Sequence, residues 1–257
     1  MKNTIYWFSG TGNSLYAAKV LAAAMGDTAL EQIADGASTP EAVGGEGSKI
    51  GIVFPSYYGN IPRLVRAFAE KLNILPGTDL FTVVTMAAFS GQGSVKAMEE
   101  LFSKKGHSLR FGVGVKMPAN YIIKYNPAIS GAKSNSRINS KLNKTDEQLQ
   151  KIAADIMSGA RQIKKGPISV KTLYKNVQAL DADFYITEKC TSCAMCERLC
   201  PASNIKLENG KPTWQHRCEH CVACISWCPS AAIENGQKTI KRTRYRNPRV
   251  KPEELER

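Results

Sequence analysis

Along residues 1–165, short apolar runs alternate with stretches whose apolar residues recur every third or fourth position. Ile5 to Phe8 is an apolar run that stops at Ser9-Gly10, and Leu15, Ala18, Leu21 and Ala22 then repeat at helical spacing, predicting a helix over 13–25. Ala29 to Ile33 reads as a second strand. Ile50 to Phe54 shows no polar alternation, which predicts a strand buried on both faces. Pro62 suits the first turn of a helix running to about Asn73. Further strands are expected at 80–86 and 111–117, and further helices at 94–105 and 146–165, the last with Thr145 as cap and Gln148 three positions on. Five strands interleaved with helices predict an α/β fold with a doubly wound parallel sheet. Residues 118–143 carry no period and read as a long loop, residues 166–183 as a linker opened by Gly166-Pro167, and residues 237–257 as a basic C-terminal tail.

The remaining stretch is chemically different. All eight cysteines fall between Cys190 and Cys228. Cys190, Cys193, Cys196, Cys200 and Pro201 recur as Cys218, Cys221, Cys224, Cys228 and Pro229, at a constant offset of 28 residues. The repeat extends to Ile205 and Ile233, and Trp214 stands where Ile186 does. No apolar run approaches the ~20 residues of a membrane span, and Ile5 to Phe8 is too short for a secretory signal, so a cytoplasmic setting is expected. Thiols stay reduced there, which favours metal or cluster ligation over disulfides. Three thiolates spaced by two residues reach three corners of a cubane from one winding of backbone, and the fourth comes from elsewhere. Two structural zinc sites are the alternative, although zinc prefers separated two-cysteine knuckles. His216 and His220 lie beside the second run but are surplus to eight thiol ligands; they read as bystanders or partners of sulfur.

This run resembles that of bacterial two-cluster ferredoxins, in which the fourth cysteine of each run serves the other cluster. The resemblance covers residues 184–236 and implies a small α+β ferredoxin-like domain. It assigns one 4Fe-4S cluster to Cys190, Cys193, Cys196 and Cys228, and the other to Cys218, Cys221, Cys224 and Cys200.

Ser9, Gly10, Thr11, Gly12, Asn13 and Ser14 lie where the first strand meets the first helix. Backbone N–H groups at a helix start form an anion site, and glycines allow close approach. No Gly-Lys-Ser/Thr follows, so this is not the nucleoside-triphosphate loop. The third glycine of a dinucleotide fingerprint is missing, while Glu31 keeps a nicotinamide reading open. Ligands of doubly wound sheets bind beyond the carboxyl ends of the strands. There the third strand ends in Pro55, Ser56, Tyr57, Tyr58, Gly59 and Asn60, and the fourth in Ala87, Ala88, Phe89, Ser90, Gly91 and Gly93. These offer aromatic faces, small residues and backbone donors; simple packing under a loop is the other reading for Tyr57 and Tyr58.

The constellation is similar to flavodoxins, whose phosphate loop has the form Ser/Thr-x-Thr-Gly-x-Ser/Thr. That resemblance covers residues 1–165 and implies a flavodoxin-like sheet of order 2-1-3-4-5. It also implies an FMN phosphate held by residues 9–14 and an isoalloxazine ring flanked by 55–60 and 87–93. The whole chain resembles the flavodoxin–ferredoxin fusions of the iron-sulfur flavoprotein family of anaerobes. Met117 to Tyr121 also looks like a segment of such fusions, placed either to close over the flavin or to join the domains.

Charge refines the partner. The chain has 35 basic and 22 acidic side chains, a formal +13, and stays basic after two four-thiolate clusters are counted. That favours an acidic, soluble redox partner. Residues 1–165 alone hold 20 basic and 12 acidic side chains, whereas small flavodoxins are usually acidic. Arg244 to Arg249 interleaves an aromatic with arginines; a solvated or back-packed tail is expected over nucleic-acid binding. The function implied is electron transfer between two 4Fe-4S clusters and FMN. The alternative is an FMN-dependent reductase of one small molecule, with the clusters as its electron supply.

Overall fold

A computed structural model describes residues 3–37, 39–87, 91–126, 134–168 and 180–257. The chain runs β1 (Asn3–Trp7), α1 (Asn13–Met25), β2 (Thr28–Gln32), β3 (Val43–Gly44), β4 (Lys49–Pro55), α2 (Arg63–Lys71), β5 (Ile74–Leu75), β6 (Asp79–Met86), α3 (Gly91–Lys104), β7 (Leu109–Lys116), α4 (Asn135–Met157) and β8 (Gln162–Ile163). Then follow β9 (Phe184–Ile186), α5 (Met195–Arg198), β10 (Ile205–Glu208), β11 (Lys211–Trp214), α6 (Ala223–Trp227) and β12 (Ile233–Asn235). A six-stranded parallel sheet has the order β2-β1-β4-β6-β7-β8. Its five principal strands therefore follow the doubly wound 2-1-3-4-5 order, and the ends of β1 and β4 meet at the switch point.

Both faces of the sheet are covered. Ile5, Trp7, Val53, Val83 and Val113 turn to one core with α1 and α4, while Tyr6, Phe8, Ile52, Phe54 and Val84 turn to the other with α2 and α3. Alternate side chains leave a strand on opposite faces, so burial on both sides erases polar alternation in β4 and β6.

Two expectations are corrected. The fourth large helix begins at Asn135, not near Thr145; Ser134 caps it by accepting the Arg137 N–H at 3.4 Å. Thr145 lies inside this helix and donates its hydroxyl to Lys141 O at 2.9 Å. A polar first turn hid the start, because only Ile138 and Leu142 face the core there. The same helix stops at Met157, and Gln162-Ile163 adds an edge strand where a helix was expected. Of the supposed linker, 169–179 lies outside the described residues. Asp181 is buried and accepts from Asn204 Nδ2 at 2.9 Å.

The sequence repeat reappears as paired hairpin-like sheets. β9 pairs antiparallel with β12, placing Ile186 opposite Ile233, and β10 pairs with β11, placing Ile205 opposite Trp214. A shift of 28 residues carries one pair onto the other.

Candidate functional site

The cysteine windings are shaped by left-handed residues. Ser192, Ala194 and Ser203 have φ of 57°, 60° and 48°; His220, Val222 and Ala231 have 55°, 57° and 51°. These six sit at equivalent places of the repeat. L-residues other than glycine rarely take this conformation, so the same strained winding built twice marks a geometric demand. Backbone amides turn toward sulfur in both halves: Asn204 N–H donates to Cys200 Sγ at 3.3 Å and Ala232 N–H to Cys228 Sγ at 3.2 Å. His220 N–H adds a bond to Cys218 Sγ at 3.2 Å.

The eight thiols stand in two sets of four. Cys190, Cys193, Cys196 and Cys228 line one small cavity. Cys200, Cys218, Cys221 and Cys224 line another. The fourth cysteine of each run thus reaches across to the other run's cavity. Cys196 and Cys224 pack on the same small cluster around Cys200 and Ile205. Cys193 is exposed and Cys200 buried. Burial pushes the Cys196 and Cys218 thiols up to about 12, with neighbouring thiols adding to the rise. Among the described residues, no group of three His, Cys, Asp or Glu side chains converges as ligands of a single metal ion.

The histidines find other partners. His216 Nδ1 is 2.9 Å from Asp181 Oδ1. His220 Nδ1 is 2.9 Å from Tyr121 Oη, and burial drives its pKa down to about 4 against the pull of Asp181 and Asp183.

At the carboxyl ends of the strands lies a cavity of about 470 Å³, within the ~300–1,000 Å³ typical of small-molecule sites. It reaches Asn13 and Thr85 at the sheet, and Pro55, Ser56, Tyr57 and Tyr58 after β4. Met86 and Ala87 close one side, Met117 to Tyr121 another, and Lys124 and Tyr125 extend it. His220, Cys221 and Val222 supply a wall from the cysteine part. Tyr58 and Tyr121 hydroxyls lie 2.6 Å apart, so Tyr58, Tyr121 and His220 form one hydrogen-bonded chain across three segments. Burial raises the Tyr121 phenol further above its usual range.

Several expected ring-flanking residues stand elsewhere. Gly59 and Asn60 make a tight turn, with Asn60 Oδ1 on the Ile61 N–H at 2.8 Å. Gly91 and Gly93 are buried in the first turn of α3, and a Cβ at Gly93 would meet the carbonyls of Pro167 and Gly59. That close approach explains the Gly93 signal. Ala88, Phe89 and Ser90 lie outside the described residues.

The loop 9–14 is wholly buried. Gly12 has φ of 92° and precedes α1. A Cβ at Gly10 would strike the Cys221 carbonyl, and one at Gly12 would press on Asn247 and Val250. The backbone approach these glycines allow is therefore, on this side of the loop, an approach by the cysteine part and the C-terminal segment. Asn13 Nδ2 donates to Pro118 O at 3.0 Å, and Asn120 Nδ2 to Thr11 Oγ1 at 2.6 Å. Ser14 and Thr85 hydroxyls lie 2.7 Å apart. Thr11 accepts from Asn120, so its own hydroxyl proton is left to donate elsewhere.

The basic tail is a packed strap. Tyr245, Val250 and Leu255 are buried against the α1 side of the sheet. Arg244 pairs with Glu234 at 2.7 Å and Arg249 with Asp146 at 2.6 Å; Lys19 pairs with Glu254. Sequence reasoning missed the contributions of Thr85, Lys124, Tyr125 and Val222 to the cavity. The 117–121 segment did carry a signal, and it is placed both to line the cavity and to touch the loop.

No family model and no curated protein matches the chain. Among solved structures, a flavoprotein of Bacteroides uniformis is 21% identical over 45% of this chain and 90% of its own, with a TM-score of 0.34. A flavoprotein of Bacteroides eggerthii is 18% identical over 61% of this chain and 98% of its own, with a TM-score of 0.37. Rubredoxin oxygen:oxidoreductase of Desulfovibrio gigas is 15% identical over 62% of this chain and 36% of its own, with a TM-score of 0.36.

Proposed function

We infer that this chain is an electron-transfer oxidoreductase that holds two 4Fe-4S clusters and one FMN. The observation that carries the reading is the double placement of Cys221. It belongs to one four-thiol set and also walls the 470 Å³ cavity. One cluster is assigned to Cys190, Cys193, Cys196 and Cys228, and the other to Cys200, Cys218, Cys221 and Cys224. Each set surrounds a space, its donors are all soft thiolates, and backbone N–H groups already point at sulfur, as a cluster's negative ligand shell requires. For FMN, residues 9–14 would hold the phosphate end, reached from the cavity at Asn13. The segments 55–58, 86–87 and 118–121 would flank the ring.

The clusters supply one-electron chemistry and the flavin one- or two-electron chemistry when bound. The chain's own residues order the sites. The set with exposed Cys193 faces an outside partner, the set with Cys221 faces the cavity, and Cys196 and Cys224 bring the two together. Tyr58, Tyr121 and His220 keep the cavity wall in one hydrogen-bonded arrangement. The partner proposed is an acidic soluble redox protein. A second reading, reduction of one small molecule, is favoured by Lys124 and Tyr125, which line the same cavity beyond the ring-flanking segments.

Anaerobic purification followed by iron, sulfide and flavin analysis tests the assignment. Two four-iron clusters and one FMN per chain are expected. Stopped-flow reduction should then show that Cys193→Ala slows flavin reduction by a chemical donor. Zinc at the thiols, or flavin reduction at the same rate with and without clusters, would end the proposal.

A further inference from the structure

The loop 9–14 is held from outside by the two parts of the chain that follow the sheet. Trp227 Nε1–H donates to Gly10 O at 3.0 Å in a buried bond. Asn247 N–H donates to Thr11 O at 2.8 Å. Tyr245 Oη and Asn247 Nδ2 both donate to Asn13 Oδ1, at 2.7 and 3.1 Å. In a trans peptide the C=O and the following N–H point in opposite directions. A Gly10 carbonyl fixed on Trp227 turns the Thr11 N–H away from the cysteine part. A Thr11 carbonyl fixed on Asn247 likewise turns the Gly12 N–H away from the strap. The successive amides of Thr11 and Gly12 are thus aimed by residues 216 and 235 positions downstream of them.

Trp227 is itself held between thiols. It is the last residue of α6, directly after a turn carrying Cys224 and directly before Cys228, and these two cysteines belong to different sets. It is 3% exposed, with the Arg246 guanidinium 5.9 Å from its ring centre. Ligation at Cys224 and Cys228 pins both ends of α6, and metal-site assembly of this kind orders the backbone that carries the ligands.

We propose that Trp227 is a positioning residue that couples cluster assembly to flavin-phosphate binding. With both thiol sets ligated, α6 presents the indole N–H to Gly10 and the loop's amides face the phosphate. With the sets empty, α6 loosens and that orientation is lost. FMN therefore binds more tightly to the cluster-loaded chain than to the cluster-free one, and by linkage bound FMN favours cluster binding by the same free energy. The coupling rests on the reading of residues 9–14 as the FMN phosphate site.

Riboflavin, which lacks the phosphate, is the control ligand. Flavin fluorescence quenching is titrated with FMN and with riboflavin, using the anaerobic full-length protein freed of endogenous flavin. Trp227→Phe keeps the ring and removes the donor, and iron analysis shows that its clusters are retained. The dissociation constant for FMN should rise about three- to tenfold, the effect of one hydrogen bond, while that for riboflavin stays within about twofold. Chelator-treated wild type should show the same loss of FMN-over-riboflavin preference. An unchanged preference in iron-replete Trp227→Phe, or equal losses for both ligands, would overturn the coupling. Wild type binding FMN no better than riboflavin would instead remove the phosphate-site reading beneath it.

Discussion

Glu219 shows how one side chain joins two chemistries. Its carboxylate is 1% exposed, and Arg63 Nε lies 3.0 Å away at the start of α2. The Arg63 backbone N–H also donates to Glu219 Oε2 at 3.1 Å, and its guanidinium reaches the carbonyls of Arg217 and Cys218 at 3.0 and 3.2 Å. Burial pushes the Glu219 carboxyl up and Arg63 pulls it back. Arg63→Ala should destabilise the fold by about 3 kcal/mol, because a buried carboxylate loses its partner; urea unfolding measures this, and a midpoint equal to wild type would count against it. The thiols predict a pH effect as well. Cys196 and Cys218, lifted to about 12 by burial, hold their protons at neutral pH without metal, so each ligation expels a proton. Cluster retention should strengthen as pH rises and weaken as it falls. Bleaching of the cluster absorbance by chelator should be faster at pH 6 than at pH 8 (roughly one unit on either side of neutrality), and a pH-independent rate would contradict the mechanism. At this scale the sequence was most legible where chemistry is local. A cysteine spacing announces itself, whereas Trp227 and Glu219 carry no local mark, since their partners lie more than 150 residues away.

Among the elements, strands and helices with a full apolar stripe were readable, and α1 matches its expected 13–25 span. The start of α4 was not, because Asn135 to Lys141 offers a single buried apolar residue. The C-terminal segment was harder still. Its arginines left a solvated and a back-packed tail both open, and burial of the intervening Tyr245, Val250 and Leu255, 2%, 6% and 2% exposed, shows that it packs back. Their spacing follows neither helix nor strand, so no periodicity betrays the packing. Residues Pro252–Leu255 form a short 3-10 turn that sets Leu255 against the core, and the Leu255 carbonyl accepts from Gln32 Nε2 at 3.0 Å. Leu255→Ala should cost about 2–4 kcal/mol, as for other buried leucines, and should speed proteolysis within 239–257. Unaltered stability and cleavage would mean that the strap lies free.

For the whole molecule, the parallel sheet followed from alternation of strand and helix and its strand order from the resemblance of the first loop to flavodoxins, while the seating of the cysteine part on the sheet followed from neither. That seating depends on surface complementarity among Gly10, Cys221, Arg63 and Glu219, which no one-dimensional pattern encodes. Among the described residues no helix is long and apolar enough to cross a membrane. With a formal charge of +13, encounter with an acidic donor protein should be steered electrostatically. Its second-order rate should fall as salt shortens the screening length from ~10 Å at 0.1 M toward ~3 Å at 1 M, and a rate indifferent to salt would dismiss an acidic partner. The strap has a further consequence in time. Residues 239–257 emerge from the ribosome after everything they bind, although the amino-terminal sheet can begin folding as it is made. A nascent chain therefore displays the loop at Thr11 and Asn13 before Tyr245 and Asn247 arrive to brace it, so the loop is expected to gain its final shape late in synthesis, long after the sheet that carries it has formed.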